Sequence, residues 1–223
     1  MKNWIICSDF DGTISLPDSS DFLLSCFASS DWKKLEELTW TGKMPERESY
    51  QAQIALLYVS WPQAREALLN GVKIRPGFKE FVEWARAQEI PFEILSSGLK
   101  PLIVELLNHA GIPDVKVESH ELQITDKQWK VVLHPGARLA EHCSHCKCAH
   151  LVKHHAAGLR VVYIGDSYTD LCPSKYADIL FATHKLAEVC GKDCVPFYPF
   201  STFYDVRQTL DALLHSSIQE SSL

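Results

Sequence analysis

Ile5-Ile6-Cys7-Ser8-Asp9-Phe10-Asp11-Gly12-Thr13 is a short apolar run that ends in two aspartates one residue apart. The run reads as a buried strand. Alternation along it puts Asp9 and Asp11 on one side and Phe10 on the other. Two carboxylates at the end of a buried strand repel each other and are costly to desolvate. A protein tolerates such a pair more readily where a cation or a reaction needs it. Gly12 lets the chain turn sharply away. Asp-Gly is also an ordinary turn dipeptide, so the rest of the chain has to decide what this motif does.

Working outward, the pattern changes after Thr13. From about Ser20 to Leu69 the spacing is helical: Phe22, Leu23, Cys26 and Phe27 on one segment, Trp32, Leu35 and Leu38 on a second. Gln53, Ile54, Leu57 and Tyr58 belong to a third, and Ala64 to Leu69 to a short fourth after Trp61-Pro62. Pro45 and Pro62 mark helix starts. From Lys73 onward strands and helices alternate. A helix carries Phe78, Phe81, Val82 and Ala85 on one face, and Phe92 to Leu95 is a short buried strand. A helix from about Pro101 to Ala110 closes at Gly111. Val115 to Val117 is a strand, and Leu122 to Thr125 can pair with Val131 to Leu133 as a hairpin. A helix near Ala149 to Ala157 precedes the strand Val161 to Ile164, and Ile179 to Phe181 is another strand. Ser201 can cap a last helix with Val206, Leu210 and Leu213 facing inward.

This rhythm predicts an α/β fold, a Rossmann-like, doubly wound parallel sheet covered by helices. Residues 1–16 and 73–223 would form the core. Residues 17–72 would form a small helical cap, inserted after the first strand and hanging over the carboxyl ends of the strands, where ligands bind in such folds.

Composition fits an ordinary globular chain: 223 residues, 46% apolar and 22% charged. The net charge of −6 argues against a general nucleic-acid binder, which needs a basic face. It leaves room for an anionic substrate at a locally positive site. No stretch approaches the ~20 apolar residues of a membrane span, and the N-terminus does not read as a secretory signal. The expectation is a cytoplasmic protein whose eight cysteines are reduced.

Three strands end in polar clusters: Asp9-Phe10-Asp11, Ser96-Ser97-Gly98 and Gly165-Asp166-Ser167-Tyr168-Thr169-Asp170. In a parallel sheet these ends converge on one rim. Their order and spacing resemble the haloacid dehalogenase superfamily of phosphohydrolases over nearly the whole chain. By that resemblance Asp9 is the nucleophile that forms an aspartyl-phosphate, and Asp11 the acid and base. Ser96, with N–H groups around Ser97 and Gly98, would hold phosphoryl oxygens. Mg²⁺ would sit on Asp9, the backbone carbonyl of Asp11, and Asp166, with Asp170 as a further ligand or an orienter. Lys147, 19 positions before Asp166, matches the phosphate-neutralising lysine, with Lys153 and Lys130 as competitors. Where many members carry glycine in the third place of the last motif, this chain carries Ser167.

The segments Arg75-Pro76-Gly77-Phe78, Pro91 to Ser96 and Gly165 to Asp170 look most like the methionine-salvage phosphatases of 2-hydroxy-3-keto-5-methylthiopentenyl-1-phosphate. Asp170 to Pro173 and the Cys-rich stretch before Lys147 are shared with phosphoethanolamine/phosphocholine phosphatases, and phosphoserine phosphatases are more distant. The implied partner is a small phosphorylated metabolite. A phosphotransferase and a non-catalytic protein of the same fold are the competing readings.

Cap residues should choose the substrate. Asp18 and Asp21 could meet a substrate ammonium or hydroxyl, or cap a helix, and Arg47 could meet a carboxylate or lie on the surface. In His142-Cys143-Ser144-His145-Cys146-Lys147-Cys148-Ala149-His150, the Cys143/Cys146 pair with Cys148 or a histidine offers half of a usual structural zinc pattern. The other reading is a set of thiols packing around Lys147.

Overall fold

The computed structural model describes residues 3–112, 114–135 and 145–220, with side chains through 215. A seven-stranded sheet runs through the molecule, built from β1 (Trp4–Ser8), β4 (Phe92–Leu99), β5 (Lys116–Thr125), β6 (Gln128–Val132), β7 (Arg160–Gly165), β8 (Ile179–Ala182) and β9 (Tyr198–Pro199). Their order is β6-β5-β4-β1-β7-β8-β9. All pairings are parallel except the β5–β6 hairpin.

Every residue of β1 is buried. The period of two splits it between two cores: Trp4 and Ile6 face one apolar cluster, Ile5 and Cys7 the other. Helices cover both faces. One layer includes α5 (Phe78–Ala87), α6 (Lys100–His109) and α10 (Phe203–Glu220). The other includes α7 (Lys147–Ala156), α8 (Leu171–Ser174) and α9 (His184–Lys192). Phe78, Phe81, Val82 and Ala85 of α5 are all buried, as their spacing predicts. The chain leaves β1 for β4 and the strands beyond it, then returns to β7 on the other side of β1. Ligands bind at such a reversal of strand order, beyond the carboxyl ends.

Between β1 and β4 lie β2 (Ser15–Leu16), α1 (Ser19–Phe27), α2 (Trp32–Trp40), α3 (Glu46–Ile54), α4 (Trp61–Gly71) and β3 (Lys73–Ile74). β2 and β3 pair antiparallel at the base of this helical block, a ribbon too short to show in the sequence pattern. The block leans on the β5–β6 hairpin. The Val59 N–H donates to the Lys127 carbonyl at 3.1 Å, and the buried Trp129 Nε1–H to the Val59 carbonyl at 2.9 Å.

Several sequence expectations need correction. The Phe92 strand runs on through Ser96 to Leu99, so the second polar cluster lies within β4. The two expected strands Val115–Val117 and Leu122–Thr125 are one, because β5 continues past β4 into the hairpin. The last helix starts at Phe203, where Asp205 accepts from the Ser201 and Thr202 N–H groups, and Leu214 is buried rather than Leu213. The cysteines are not all reduced: Cys148 of α7 is joined to Cys172 of α8, with Cα atoms 6.3 Å apart.

Candidate active site

Asp9 follows β1 directly, and its N–H donates to the Ile164 carbonyl of β7 at 2.9 Å, which fixes it at the rim. Its Oδ1 accepts from the Phe10 N–H at 2.8 Å and from Lys147 Nζ at 2.8 Å. Phe10 goes down into the core, as the alternation requires. Gly12 holds φ +76°, and a Cβ there would stand 2.3 Å from Asp166 Oδ2. Glycine is therefore needed both for the turn and for the approach of the Asp166 carboxylate.

Asp11 is held at one oxygen only. Its Oδ1 accepts from the Ser15 hydroxyl at 3.1 Å and from the Ser19 N–H at the start of α1 at 2.8 Å. Its Oδ2 is buried without a hydrogen-bond partner. That oxygen faces Gly98, where a Cβ would lie 2.4 Å from it. Burial raises the Asp11 carboxyl above its ordinary range, only partly offset by the Ser19 and Ser15 hydrogen bonds. A raised carboxyl with one free oxygen can hold and release a proton.

Lys147 opens α7 and is fully buried. Its Nζ lies 2.8 Å from both Asp9 Oδ1 and Asp170 Oδ1. Burial works against its charge, but Asp170 and Asp9 outweigh that and hold the ammonium protonated. Lys153 and Lys130, the two competitors, are exposed. One ammonium cannot neutralise two carboxylates. Asp170 keeps its charge despite burial, with Lys147 and the Tyr163 hydroxyl, 2.6 Å away, as donors. Burial, then the repulsion of Asp170, push Asp9 well above the usual carboxylate range. Asp166 is pushed up to about 7 by burial and by Asp170.

The carboxylate oxygens of Asp9, Asp166 and Asp170 lie within 4.8 Å of one another. Asp170 is the most occupied of them: its Oδ2 also accepts from the Asp166 and Ser167 N–H groups at 3.0 and 3.1 Å. Its oxygens are spent on holding Lys147 and the loop after β7, so it orients the site. Asp9 and Asp166 remain for a cation. Their raised pKa values are the mark of a cluster one positive charge short, and an oxygen-only set suits a hard dication.

In the second cluster, Ser96 is buried, and its hydroxyl accepts from the Gly98 N–H at 2.9 Å, while Ser97 is half-exposed. The Ser96 carbonyl lies 3.0 Å from His145 Nδ1. The neighbours that set this rim stand in quoted stretches of the sequence, but the sequence gives them no role. Arg75 Nε and a terminal nitrogen donate to the Thr13 and Gly12 carbonyls, both at 2.6 Å, and its other nitrogen to the Ser201 carbonyl at 3.0 Å. The Thr13 hydroxyl holds Asp166 Oδ1 at 2.7 Å. No local sequence signal marks Arg75, because its partners are distant backbone carbonyls.

The cap residues divide. Asp18 is the N-cap of α1, accepting from the Asp21 N–H at 2.9 Å, so the helix-capping reading holds. It also stands near Asp11: burial, then Asp11 and Asp21, raise it well above the ordinary range. Asp21 is pushed up to about 6 by burial, Glu36 and Asp11. Tyr50 of α3 bonds the Ser20 hydroxyl at 2.9 Å. Arg47 makes no hydrogen bond or ion pair with another described residue. The described residues do not assemble the cysteine zinc site: Cys148 is bonded to Cys172, Cys146 is free, and Cys143 lies outside the described residues.

The chain matches the family of haloacid dehalogenase-like hydrolases over residues 6–172. It is a member of that family. It is 30% identical to Pdp3-interacting factor 1 of Schizosaccharomyces pombe, covering 97% of this chain and 98% of that protein. It is 29% identical to the polyol phosphate phosphatase PYP1 of Saccharomyces cerevisiae (96% and 95% covered). With a 2-hydroxy-3-keto-5-methylthiopentenyl-1-phosphate phosphatase of Bacillus pumilus the identity is 28% (96% and 93%). A substrate-bound phosphoserine phosphatase superposes with a TM-score of 0.70 at 14% identity, over 94% of this chain and 99% of that one, which places the haloacid dehalogenase fold. Among the described residues, no helix of this hydrolase is long and apolar enough to cross a membrane.

Proposed function

We propose that this hydrolase cleaves a small phosphomonoester through an aspartyl-phosphate on Asp9. The observation that carries the reading is the division of labour between two neighbouring carboxyls. Asp9 is held by the Phe10 N–H and the Lys147 ammonium, whereas Asp11 keeps a buried oxygen without a partner. Asp9 attacks phosphorus, the bond from phosphorus to the ester oxygen breaks, and the Asp11 proton goes to the leaving alkoxide. Water then attacks the acyl phosphate and gives its proton back to Asp11, releasing phosphate and restoring the Asp9 carboxylate. Lys147, the N–H at Ser97 and Ser96, whose hydroxyl is held in place by the Gly98 N–H, hold the phosphoryl oxygens. Asp9, Asp166 and the Asp11 carbonyl would hold Mg²⁺, whose charge offsets that of the phosphoryl group.

The helical block, residues 17–72, acts as the cap that selects the substrate. Asp18, Ser19, Ser20, Asp21 and Tyr50 offer hydroxyls and carboxyls beside Asp11 and no cation. That lining suits a substrate rich in hydroxyls and disfavours one with a carboxylate, such as phosphoserine. 2-Hydroxy-3-keto-5-methylthiopentenyl-1-phosphate is the first candidate, supported by the Bacillus pumilus relative. A polyol phosphate is the second, supported by the yeast relative and by the same lining.

Phosphate release is measured from both of these with phosphoethanolamine, phosphocholine and phosphoserine, in Mg²⁺ or EDTA. One of the first two is expected to turn over with Mg²⁺ only. Asp9→Asn should lower the rate by about 10⁴-fold or more. Release unaffected by Asp9→Asn would overturn the mechanism. Phosphate appearing on an added alcohol instead of in solution would make the enzyme a transferase.

A further inference from the structure

Beside the carboxylate rim, on the far side of Ser96, lies a second group of possible ligands with no part in the reaction just described. Nitrogens of His134, His145 and His150 all lie within 4.8 Å of one another. His145 Nε2 and His150 Nε2 are 3.0 Å apart, and the ring centroids of His134 and His145 are 4.3 Å apart. Two nitrogens bound to one tetrahedral ion at ~2.0–2.1 Å would stand about 3.3 Å apart, so little adjustment is needed.

The surroundings are those of ligand imidazoles. Metal-bound histidines characteristically give their other ring nitrogen to a carbonyl or carboxylate. His145 Nδ1 faces the Ser96 carbonyl at 3.0 Å, which directs Nε2 to the cluster. Glu118 Oε2 lies 3.3 Å from His134 Nε2. A fourth imidazole, His120, is fully buried 6.1 Å from the His145 ring. Its Nδ1 accepts from the His134 N–H at 2.9 Å, which puts its proton on Nε2, and that buried N–H has no partner. It is a donor suited to a water on the open position of an ion.

We propose that His134, His145 and His150 form a binding site for a first-row transition-metal dication of the imidazole-preferring class. This site uses imidazoles alone and no thiolate, unlike the cysteine pattern above, and it does not depend on which phosphate ester is cleaved. Imidazole favours such ions, whereas the oxygen-only rim favours Mg²⁺, so the two sites select different metals. His134 follows β6, and His150 lies in α7. An ion there ties the hairpin to the helix that begins with Lys147, and through His145 it fixes the Ser96 carbonyl. These histidines are positioning residues.

The test uses the whole chain with saturating Mg²⁺ to fill the carboxylate site, titrated with Co²⁺ and, separately, Zn²⁺. Wild type is expected to bind one equivalent and to melt at a higher temperature with the ion. Cobalt should show visible d–d bands without a thiolate charge-transfer band. His150→Gln and His134→Gln, on different elements, should each weaken binding by about 10–100-fold or more. Circular dichroism of the metal-free variants checks that each is folded, and a misfolded one is replaced by the other. Absence of saturable binding, affinity unchanged in both variants, or a thiolate charge-transfer band would overturn the site.

Discussion

The rim and the helical block above it are built in opposite ways. At the rim, Asp170 alone accepts from Lys147, Tyr163, Asp166 and Ser167, and Arg75 ties down two carbonyls of the loop after β1. In the block, α2 buries only Trp32, and α3 buries Ser49, Gln53 and Ile54, whereas α5 beneath the sheet buries five of its residues. On the proposed function, the contrast assigns each task its place. Chemistry needs groups held to within fractions of an ångström, and the rim over-determines them. Choice of substrate tolerates a looser element, and local opening is drawn from the less packed parts of a fold. Substitutions at the rim should therefore act on every substrate alike. Those in the block should act on affinity.

The largest effect is expected from Lys147→Met. Removing the ammonium leaves Asp9 and Asp170 buried against each other, and breaking such a buried pair costs about 3 kcal/mol or more. The midpoint of urea unfolding should fall accordingly, and phosphate release should vanish with any ester. An unchanged midpoint would show that the two carboxyls shed their charge without loss, and the rim would not be the rigid partner in this comparison.

Next is Gly98→Ala. The new methyl would stand 2.4 Å from Asp11 Oδ2 and 3.1 Å from Ser96 Oγ, so Asp11, the proposed acid, must move. A displacement of that kind lowers kcat by about 10²-fold. Steady-state kinetics with two different esters should show the same loss for both. A loss confined to one ester would mean that Gly98 shapes substrate fit.

A smaller effect concerns pH. The folded Asp166 carboxyl is raised to about 7, against roughly 3.9 in an unfolded chain. Between those values the folded state binds more protons, so this group's contribution to stability falls as pH rises through the window. In EDTA the melting temperature should therefore drop from pH 5 to pH 8, and Asp166→Asn should flatten that drop. The asparagine oxygen can still accept from Thr13, so the loop keeps its hydrogen bond. An equal drop in wild type and variant would place the proton elsewhere.

Much of this division was legible in the sequence, and the part that was not has a physical reason. The apolar run before Asp9, the strand before Asp166 and the helix opened by Lys147 share one pattern, whereas Ser96 lies inside β4. Each carboxyl or lysine sits at the end or start of an element whose hydrophobic period is clear. The helices of the block were legible by spacing, but their packing was not, because Leu35 and Leu38 have helical periodicity and remain partly exposed. Arg75, Thr13 and Ser15 act on backbone or on partners fixed only by the folded loop, so no spacing reveals them. In the stretch around Lys147 the spacing of Cys143 and Cys146 draws the eye, with a histidine only as a completing ligand. The fold instead pairs Cys148 with Cys172, 24 residues on, and brings His134, just after β6, to His145 before α7 and His150 within it, a meeting set by topology rather than by local pattern.

The smallest expected effect tests the loose side of the comparison. Trp40, on α2, is 56% exposed, and its ring meets Tyr168 edge-on with centroids 4.6 Å apart. Tyr168 lies two residues after Asp166, and Lys185 sits over its ring at 5.6 Å. This aromatic contact joins the block to the loop that carries the Asp166 and Asp170 carboxylates. An aromatic pair of this kind contributes about 0.5–1.5 kcal/mol beyond its area. Trp40→Ala should therefore raise KM by roughly threefold to tenfold as the block opens more readily. The value of kcat should hold, because no rim hydrogen bond is lost. A fall in kcat at constant KM would instead make Trp40 a support of the loop itself, and the separation between a rigid rim and a selecting block would then fail at the contact that joins them.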